Sequence, residues 1–297
     1  MRLGVMLPTI GPLAAGPAAR ANQIAVARHA EQLGFESLWT PDHLVVPLSI
    51  RSKYPYSRDG SFAVPPEHGF LEPLATLGFL AGVTERIRLG TWVMVLPHRH
   101  AIVAAKMWAT LDVLSGGRVQ LGAGVGWLEE EIRLLGAPFE KRGALSDEYL
   151  RAMRELWSAR EPRFEGEFVR FSGISCEPKP LQQPLPIWIG GESQAALRRV
   201  VEFGRGWLAV ANSFEAFRAN RARLETAAAR AGRAFAELEV LITTSYTPTL
   251  AAFREEALRY ADLGHDYFMA PNAFWAQPLD ETLRSLDALA SWAATRG

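Results

Sequence analysis

The chain has 297 residues, of which 48% are hydrophobic and 22% are charged, and its 32 basic and 32 acidic residues give a formal net charge of zero. This length and composition predict a globular protein with a sizeable buried core and exclude a disordered chain. Because no block of like charge stands out, nothing in the sequence marks it as a nucleic-acid-binding or membrane-binding protein. We therefore expect a small-molecule partner, with no nucleic acid and no membrane.

The compartment is indicated by the N-terminus and by cysteine usage. The apolar stretch after Met1 is interrupted by glycine or proline at positions 4, 8, 11 and 12, so it predicts a buried strand and a turn rather than a signal peptide. No later apolar run reaches the roughly 18 residues of a membrane span. The single cysteine, Cys176, cannot form an internal disulfide, which fits a reducing compartment. We expect a cytoplasmic protein.

Short apolar runs alternate with amphipathic stretches, a pattern typical of parallel strands joined by crossover helices. In chain order the predicted strands are Leu3–Leu7, Ser37–Thr40, Ile87–Leu96, Val119–Gly122, Ile187–Ile189, Gly206–Val210, Leu238–Thr243 and Tyr267–Met269. The predicted helices are Arg20–Leu33, Ala101–Leu114, Trp127–Leu135, Ser146–Trp157 and residues 194–203, 214–231, 251–262 and 279–294. Eight alternations over residues 1–297 predict a single α/β domain with the (β/α)₈ TIM-barrel fold.

Two segments interrupt the alternation. Residues 45–70 are rich in proline, glycine and aromatic residues, and residues 162–186 combine a predicted hairpin, RFEGEFVRF, with a proline-rich run. Both are too long for plain connectors, so we expect lids at the C-terminal face, where barrel enzymes place their chemistry. The alternative for each is a surface insertion without function.

Asp42 and His43 follow Pro41 at the end of the second predicted strand. Proline favours an extended residue before it, so the pair should project toward the mouth of the barrel. An imidazole titrates near neutral pH and can exchange a proton with a reacting group. The alternative is a turn-capping aspartate beside a structural histidine.

Two glycine-rich turns follow predicted strands. Gly122-Ala123-Gly124-Val125-Gly126 fails the dinucleotide fingerprint because position 129 is Glu129. We expect its glycines to let the backbone at Val125 and Gly126 approach a flat ring instead. In the turn after the fifth strand, glycine amides and a serine hydroxyl before a helix suit an anion; the residues are Gly190, Gly191 and Ser193. The alternative is that Ser193 only caps the helix.

Several stretches resemble, in the same order, the luciferase-like family of flavin- and deazaflavin-dependent oxidoreductases. They are LGFESLWTPDHL (33–44), residues 86–132, the FEGEF…PKP hairpin and PIWIGGES (186–193). The resemblance covers most of residues 1–210, and it is strongest to the branch that uses coenzyme F420, with an FMN-using branch close to it. It implies a (β/α)₈ barrel, often dimeric, in which His43 is the catalytic acid/base and Asp42 lies beside the cofactor.

The same resemblance implies other cofactor contacts. Relatives carry a cis peptide bond without proline in the third strand, which bulges the backbone against the ring; here it would join Trp92 to Val93, next to Thr91. The alternative is an ordinary buried strand. Relatives also contact the ring at the turn of Val125 and Gly126 and bind phosphate at the turn of Gly190, Gly191 and Ser193. Where the sugar-phosphate dehydrogenases of the family place an acid, this chain has Trp127, which argues against their substrate.

The cofactor determines the expected reaction. F420 implies hydride transfer to or from a small organic substrate, whereas reduced FMN implies a luciferase-like monooxygenase that uses oxygen. Trp39, Trp127 and Trp275 lie near predicted strand ends and predict an apolar or aromatic substrate pocket. Glu129 and Glu130 are expected to face solvent.

Two alternatives from other classes stay open at this point. A non-enzymatic cofactor carrier on the same scaffold would have no working His43. His98-Arg99-His100, taken with Asp42 and His43, leaves a barrel metallohydrolase as a remote alternative, although too few histidines remain at later strand ends to complete its ligand set.

Overall fold

The computed structural model of the protein describes residues 1–57, 59–62, 64–65, 68–244, 249–270 and 277–296. Its strands are β1 (Arg2–Met6), β2 (Ser37–Thr40), β3 (Arg88–Thr91), β4 (Met94–Val95), β5 (Val119–Gly124), β6 (Phe164–Glu165), β7 (Arg170–Phe171), β8 (Ile187–Gly190), β9 (Gly206–Val210), β10 (Glu239–Thr243) and β11 (Tyr267–Met269). Its helices are α1 (Ala19–Gln32), α2 (Pro73–Ala81), α3 (Ala101–Ser115), α4 (Glu129–Leu134), α5 (Arg142–Ser158), α6 (Gln194–Phe203), α7 (Phe214–Arg230), α8 (Leu250–Ala261) and α9 (Leu279–Ala294).

The sheet is parallel and closes on itself. β1 pairs with β2 on one side and with β11 on the other, and the order continues through β10, β9, β8 and β5 back to β3 and β4. β3 and β4 are two pieces of one barrel strand, so eight strands surround the interior. The predicted TIM barrel is confirmed. The predicted hairpin is also present, as β6 paired with β7.

The third barrel strand differs from the continuous strand predicted over Ile87–Leu96. Leu89 and Gly90 pair with Val119 and Gln120, whereas Met94 and Val95 pair with Ala123 and Gly124. Residues 91–93 therefore lie opposite only 121–122, which is a β-bulge. The peptide bond between Trp92 and Val93 lies in this bulge and is cis, as the resemblance implied. After β4 the chain forms a 3₁₀ turn over Leu96–His98.

Helix α2 lies in a region where the sequence predicted no element. The carboxylate of Glu72 accepts a hydrogen bond from the Ala75 amide at 2.6 Å, and Pro73 occupies the first turn, so the helix has ordinary start signals. Its sequence, PLATLGFLA, has no charged face, and six of its nine residues are buried. Without alternation between polar and apolar faces, periodicity could not reveal it.

The barrel interior positions the site. Trp39, Trp188 and Tyr267 belong to its buried cluster, on which Trp92 and Val93 pack. Glycines make room for the large rings: a Cβ at Gly90 would lie 2.5 Å from the Trp39 ring, and a Cβ at Gly206 would lie 2.6 Å from the Trp188 ring. Among the described residues, no helix combines the length and the apolar character needed to cross a bilayer.

Candidate active site

His43 forms a close pair with Glu131, the third residue of α4. His43 Nδ1 lies 2.6 Å from Glu131 Oε2, and Glu131 Oε1 accepts hydrogen bonds from the amides of Leu44 and Val45 at 2.7 and 3.1 Å. The Glu131 side chain is completely buried. Burial by itself raises the pKa of this carboxyl, but the hydrogen bond from His43, the neighbouring imidazoles and the Val45 amide outweigh it and hold the pKa below its usual value. Glu131 is therefore a carboxylate that accepts the Nδ1 proton, which leaves Nε2 as the reactive nitrogen of His43.

Aromatic side chains surround the His43 ring. The ring centroids of Phe62, Phe70 and Trp127 lie 5.3, 5.1 and 6.0 Å from the imidazole. Tyr54 packs edge-on against Phe62 and Trp127. The two phenylalanines and Tyr54 come from the 45–70 segment, so the described residues of this segment cover the mouth of the barrel above His43. We call it the lid.

Glu130 ties the lid to α4. Its carboxylate accepts hydrogen bonds from the Arg51 amide at 2.7 Å, the Ser52 amide at 3.2 Å and the Ser52 hydroxyl at 2.6 Å. Burial opposes ionisation, but these hydrogen bonds outweigh it and lower the pKa of Glu130 to about 2. The expectation that Glu130 faces solvent is wrong for this reason. Glu129, whose side chain is 43% exposed, pairs instead with Arg133.

Glu131 was not predicted from the sequence, although a signal for it exists. Three consecutive glutamates span about 200° of a helix at 100° per residue. At the start of a helix that packs against a barrel, they cannot all face solvent. Each of the three has a different role: Glu129 forms a surface ion pair, Glu130 tethers the lid, and Glu131 pairs with His43.

Asp42 is buried and fully hydrogen-bonded. Arg99 donates to both carboxylate oxygens, at 2.7 and 2.9 Å, and the Val95 amide donates at 2.9 Å. Arg99 also donates to Glu72 at the start of α2, at 2.7 Å. In this structure Asp42 ties the end of β2 to the residues after the bulge and presents no free oxygen to a ligand.

Glycines of two neighbouring strands accommodate the bulge. A Cβ at Gly124 would lie 2.4 Å from Val93 Cγ2, a Cβ at Gly190 would lie 2.7 Å from Val93 Cγ1, and a Cβ at Gly122 would lie 1.8 Å from the Thr91 carbonyl oxygen. Thr91 is completely buried, and its hydroxyl donates to the Gly122 carbonyl at 2.7 Å. The glycines at positions 122 and 124 of the GAGVG turn are therefore required to leave room for the bulge, whether or not a ligand binds there.

The partly exposed residues next to the bulge form an apolar edge at the C-terminal ends of adjacent strands. They are Trp92, Val93, Val125, Gly126, Gly190 and Gly191. Two of them, Gly126 (φ 80°) and Gly191 (φ 103°), have backbone conformations that favour glycine. Because little side-chain bulk projects from this edge, the part formed by Trp92, Val93, Val125 and Gly126 fits a planar ring system, and a bulky side chain at either Gly126 or Gly191 would be strained.

The turn at 190–193 leads into α6. Ser193 is exposed, and its hydroxyl oxygen accepts a hydrogen bond from the Ala196 amide at 3.1 Å, so it caps α6 and still has its own proton to donate. Between Gly191 and Ser193 lies Glu192, a residue the sequence did not single out. Its Oε2 accepts from Asn220 Nδ2 at 3.1 Å, and burial raises its pKa to about 7, although Arg223 opposes the shift.

The three predicted substrate tryptophans differ in position. Trp127 lies beside His43, as described above. Trp39 is completely buried and donates from Nε1 to the Ser37 hydroxyl at 2.6 Å, so it has no surface to offer a ligand and instead packs edge-on against Trp92 at 5.9 Å. Trp275 lies outside the described residues.

Comparison with known proteins shows the family. The chain matches the luciferase-like monooxygenase family over residues 1–295, and it belongs to this family. It is 36% identical over 185 residues to an uncharacterised protein of Mycobacterium tuberculosis (strain H37Rv), a match that covers 62% of this chain and 66% of that protein.

Two relatives with named activities use different cofactors. One is an FMNH2-dependent dimethylsulfone monooxygenase from Pseudomonas putida, 33% identical over 159 residues, with 52% of this chain and 44% of the enzyme covered. The other is an F420-dependent glucose-6-phosphate dehydrogenase from Amycolatopsis mediterranei, 28% identical over 189 residues, with 62% of this chain and 52% of the enzyme covered. The matched stretch thus spans 66% or less of these three relatives.

Among solved structures, the monooxygenase RslO1 from Streptomyces bottropensis superposes with a TM-score of 0.77 at 20% identity, with 98% of each chain covered. This likeness shows the barrel fold. The match over residues 1–295 places the chain in the luciferase-like family of oxidoreductases and monooxygenases, one of the classes considered from the sequence.

Proposed function

We propose that the protein is an F420-dependent oxidoreductase that transfers a hydride between the deazaflavin and a small organic substrate, with His43 as the acid/base. The observation that carries the proposal is the His43–Glu131 pair, at 2.6 Å beneath an aromatic lid. Hydride transfer to a carbonyl or an imine needs a proton at the neighbouring atom, and an imidazole oriented by a buried carboxylate can deliver or accept it.

Each residue of the site has a role in this proposal. The deazaflavin, when bound, supplies or accepts the hydride. The bulge at Trp92–Val93 and the turn at Val125–Gly126 would hold its ring, and Gly190, Gly191 and Ser193 would hold a phosphate of its tail. His43 Nε2 moves the proton, while Glu131 fixes the ring orientation. The lid and Trp127 exclude water and receive an apolar or aromatic part of the substrate.

A second candidate, an FMN-dependent monooxygenase, is favoured by a specific comparison. The FMNH2-dependent relative is 33% identical, whereas the F420-dependent dehydrogenase is 28% identical. The apolar edge at the bulge suits the ring of either cofactor, so the geometry supports the oxidoreductase class and leaves the choice to the experiment.

Titration of the purified protein with F420 and with FMN, oxidised and reduced, tests the choice of cofactor. We expect tight binding of F420 and weaker binding of FMN; tighter binding of reduced FMN overturns the F420 assignment and establishes the second candidate.

His43→Ala should abolish turnover and leave cofactor affinity within about twofold, since His43 acts on the proton and not on binding. His29→Ala, on the outer helix α1, is the matched control. Turnover that persists in His43→Ala contradicts the role of His43, whereas cofactor binding by the wild type without any turnover would make the protein a carrier.

We also propose a homodimer that works on a small-molecule substrate without nucleic acid or membrane. The neighbouring helices α2 and α3 leave Phe79, Val103 and Leu114 exposed by 37%, 52% and 72%, and an apolar helix face is a common subunit contact. Sedimentation of the wild type and of Val103→Glu tests this: a dimer that becomes a monomer supports the proposal, and a monomeric wild type refutes it.

A further inference from the structure

A second histidine, His98, lies in the same buried cluster as His43 and has no part in the mechanism described above. It ends the 3₁₀ turn after the bulge, and only 1% of its side chain is exposed. Its two ring nitrogens point to different carboxylates: Nδ1 lies 3.8 Å from Asp42 Oδ2, and Nε2 lies 3.7 Å from Glu131 Oε2. Within the described residues, Nδ1 has no hydrogen-bond partner.

His98 and His43 approach the same oxygen atom. Glu131 Oε2 lies 2.6 Å from His43 Nδ1, within hydrogen-bond distance, and 3.7 Å from His98 Nε2, within ion-pair distance, so this carboxylate lies between the two imidazoles. On the far side of His98, Asp42 is held by Arg99. The order of groups is therefore His43, Glu131, His98, Asp42 and Arg99.

The charges in this cluster do not balance when both histidines are neutral. The two fully buried carboxylates are Asp42 and Glu131, and one cation, Arg99, faces them; Glu72, which also pairs with Arg99, is 34% exposed and is screened by solvent. A neutral His98 must also turn one nitrogen lone pair toward a carboxylate, whichever tautomer it adopts. One added proton on either imidazole relieves the imbalance. A second proton would place two cations around one carboxylate at short range, which is unfavourable in a buried cluster.

We propose that His98 is a positioning residue for His43: through Glu131 Oε2 the two rings compete for one proton, and His98 stays neutral so that His43 holds it. This role rests on the function proposed for His43, but the competition itself is a property of the protein without cofactor. Burial lowers the pKa of His98, and Asp42 and Glu131 only partly offset this, while His43 and Arg99 lower it further. The direction agrees with His98 as the ring that gives up the proton.

The test is an NMR titration of the protein without cofactor, with the imidazole signals assigned by single His→Ala variants. In the wild type, the His43 ring should titrate in two steps, the smaller one at acid pH where His98 takes a proton. In His98→Gln, which keeps a side-chain amide near Glu131, the second step should disappear and the midpoint for His43 should move. His29→Gln, at a half-buried imidazole on the outer helix α1, should leave the His43 curve unchanged.

The outcomes separate the inference from the proposed function. A single-step His43 titration in the wild type, or a curve that is the same in His98→Gln, overturns the coupling, and the wild-type result decides even if the variant fails to fold. A coupled titration with no effect of His43→Ala on turnover would support the inference about His98 while refuting the catalytic role of His43. If both hold, the acid limb of the kcat–pH profile should shift in His98→Gln, with KM changed less than kcat.

Discussion

At the scale of single residues, the His43–Glu131 pair makes the sharpest prediction. In Glu131→Gln, the amide oxygen can still accept from Leu44 and Val45, but the amide nitrogen would face His43 as a donor and favour the other imidazole tautomer. In that tautomer Nδ1 carries the lone pair and Nε2 carries the proton, the reverse of the arrangement that Glu131 imposes. We therefore expect turnover to fall by roughly 10²-fold or more, as it does when other groups that orient an acid/base histidine are replaced. Steady-state kinetics with the cofactor that binds test this. Glu129→Gln, on the same helical turn, is the control, and an equal loss in both variants would contradict the assignment.

Glu192 makes a prediction about stability and pH. Its pKa is raised from 4.5 to about 7 by burial, so the folded protein holds a proton there that the unfolded chain has lost. Its contribution to stability is therefore fully present below about pH 4.5 and is lost as the pH rises through 7. Glu192→Gln carries no charge at any pH, so it should gain about 1 kcal/mol over the wild type between about pH 5 and 8, a figure reduced for partial exposure.

Urea unfolding at about pH 5 and about pH 8 measures the difference in the free energy of unfolding between the wild type and Glu192→Gln. Glu165→Gln is the control, because the Glu165 side chain is 80% exposed and its replacement should not change the pH dependence. A gap between wild type and Glu192→Gln that does not grow with pH would contradict the raised pKa.

At the scale of elements, the bulge depends on the absence of side chains on its neighbours. In Gly124→Ala, the new Cβ would lie 2.4 Å from Val93 Cγ2, so the bulge or β5 must move, at a cost of about 1–3 kcal/mol in the free energy of unfolding. Trimming the partner in Val93→Ala/Gly124→Ala should recover part of this loss, which a double-mutant cycle measures. Gly78→Ala, within α2 and 3.9 Å from its nearest contact, should instead stabilise by up to about 1 kcal/mol. Additive effects at positions 93 and 124 would show that Val93 and Gly124 do not compete for space.

The lid makes a second prediction at this scale. Glu130→Ala removes the acceptor for the amides of Arg51 and Ser52 and for the Ser52 hydroxyl. Hydrogen bonds to a charged group contribute about 1.5–3 kcal/mol, so the lid should open more often, and trypsin should cut after Arg51 or Lys53 about tenfold faster. Glu129→Ala, which loses only the pair with Arg133, is the control. Equal cleavage rates in the two variants would exclude Glu130 as the tether.

The same elements show how far the sequence predicts this protein. The eight strands were predictable because buried parallel strands are short apolar runs separated by amphipathic helices. The cis bond followed from the family resemblance alone, since nothing in Trp92-Val93 by itself requires it. Helix α2 has no polar face, and the partner of His43 comes 88 residues later, so neither periodicity nor spacing could reveal them. Likewise, nothing local shows that Trp39 is buried while Trp127 is not, because that depends on the glycines of neighbouring strands.

At the scale of the whole molecule, the barrel closes where its first strand, β1, pairs with its last strand, β11. Arg2 of β1 donates to both oxygens of Asp266, just before β11, at 2.9 and 3.1 Å, and to Glu239 of β10 at 2.8 Å. Glu239 also accepts from Arg205, just before β9, at 2.8 Å. The Arg2 guanidinium lies 4.7 Å from the centre of the Tyr267 ring. One side chain therefore connects the N-terminal ends of three strands across the closure.

Replacing Arg2 should weaken the closure more than an isolated surface pair would. The Arg2 hydrogen bond holds the pKa of Asp266 below its usual value, so this stabilisation is present at neutral pH and is lost as Asp266 becomes protonated in acid. Arg2→Met keeps the apolar contact with Tyr267 and should lower the free energy of unfolding by about 1–2 kcal/mol at low salt. Because Arg2 is partly exposed, this loss should become smaller at high salt. Urea unfolding at low and high salt measures it. Arg284→Met, which removes an exposed pair within α9, should cost less than about 0.5 kcal/mol. Equal losses would mean that the ends of the sheet are held by backbone pairing and core packing alone.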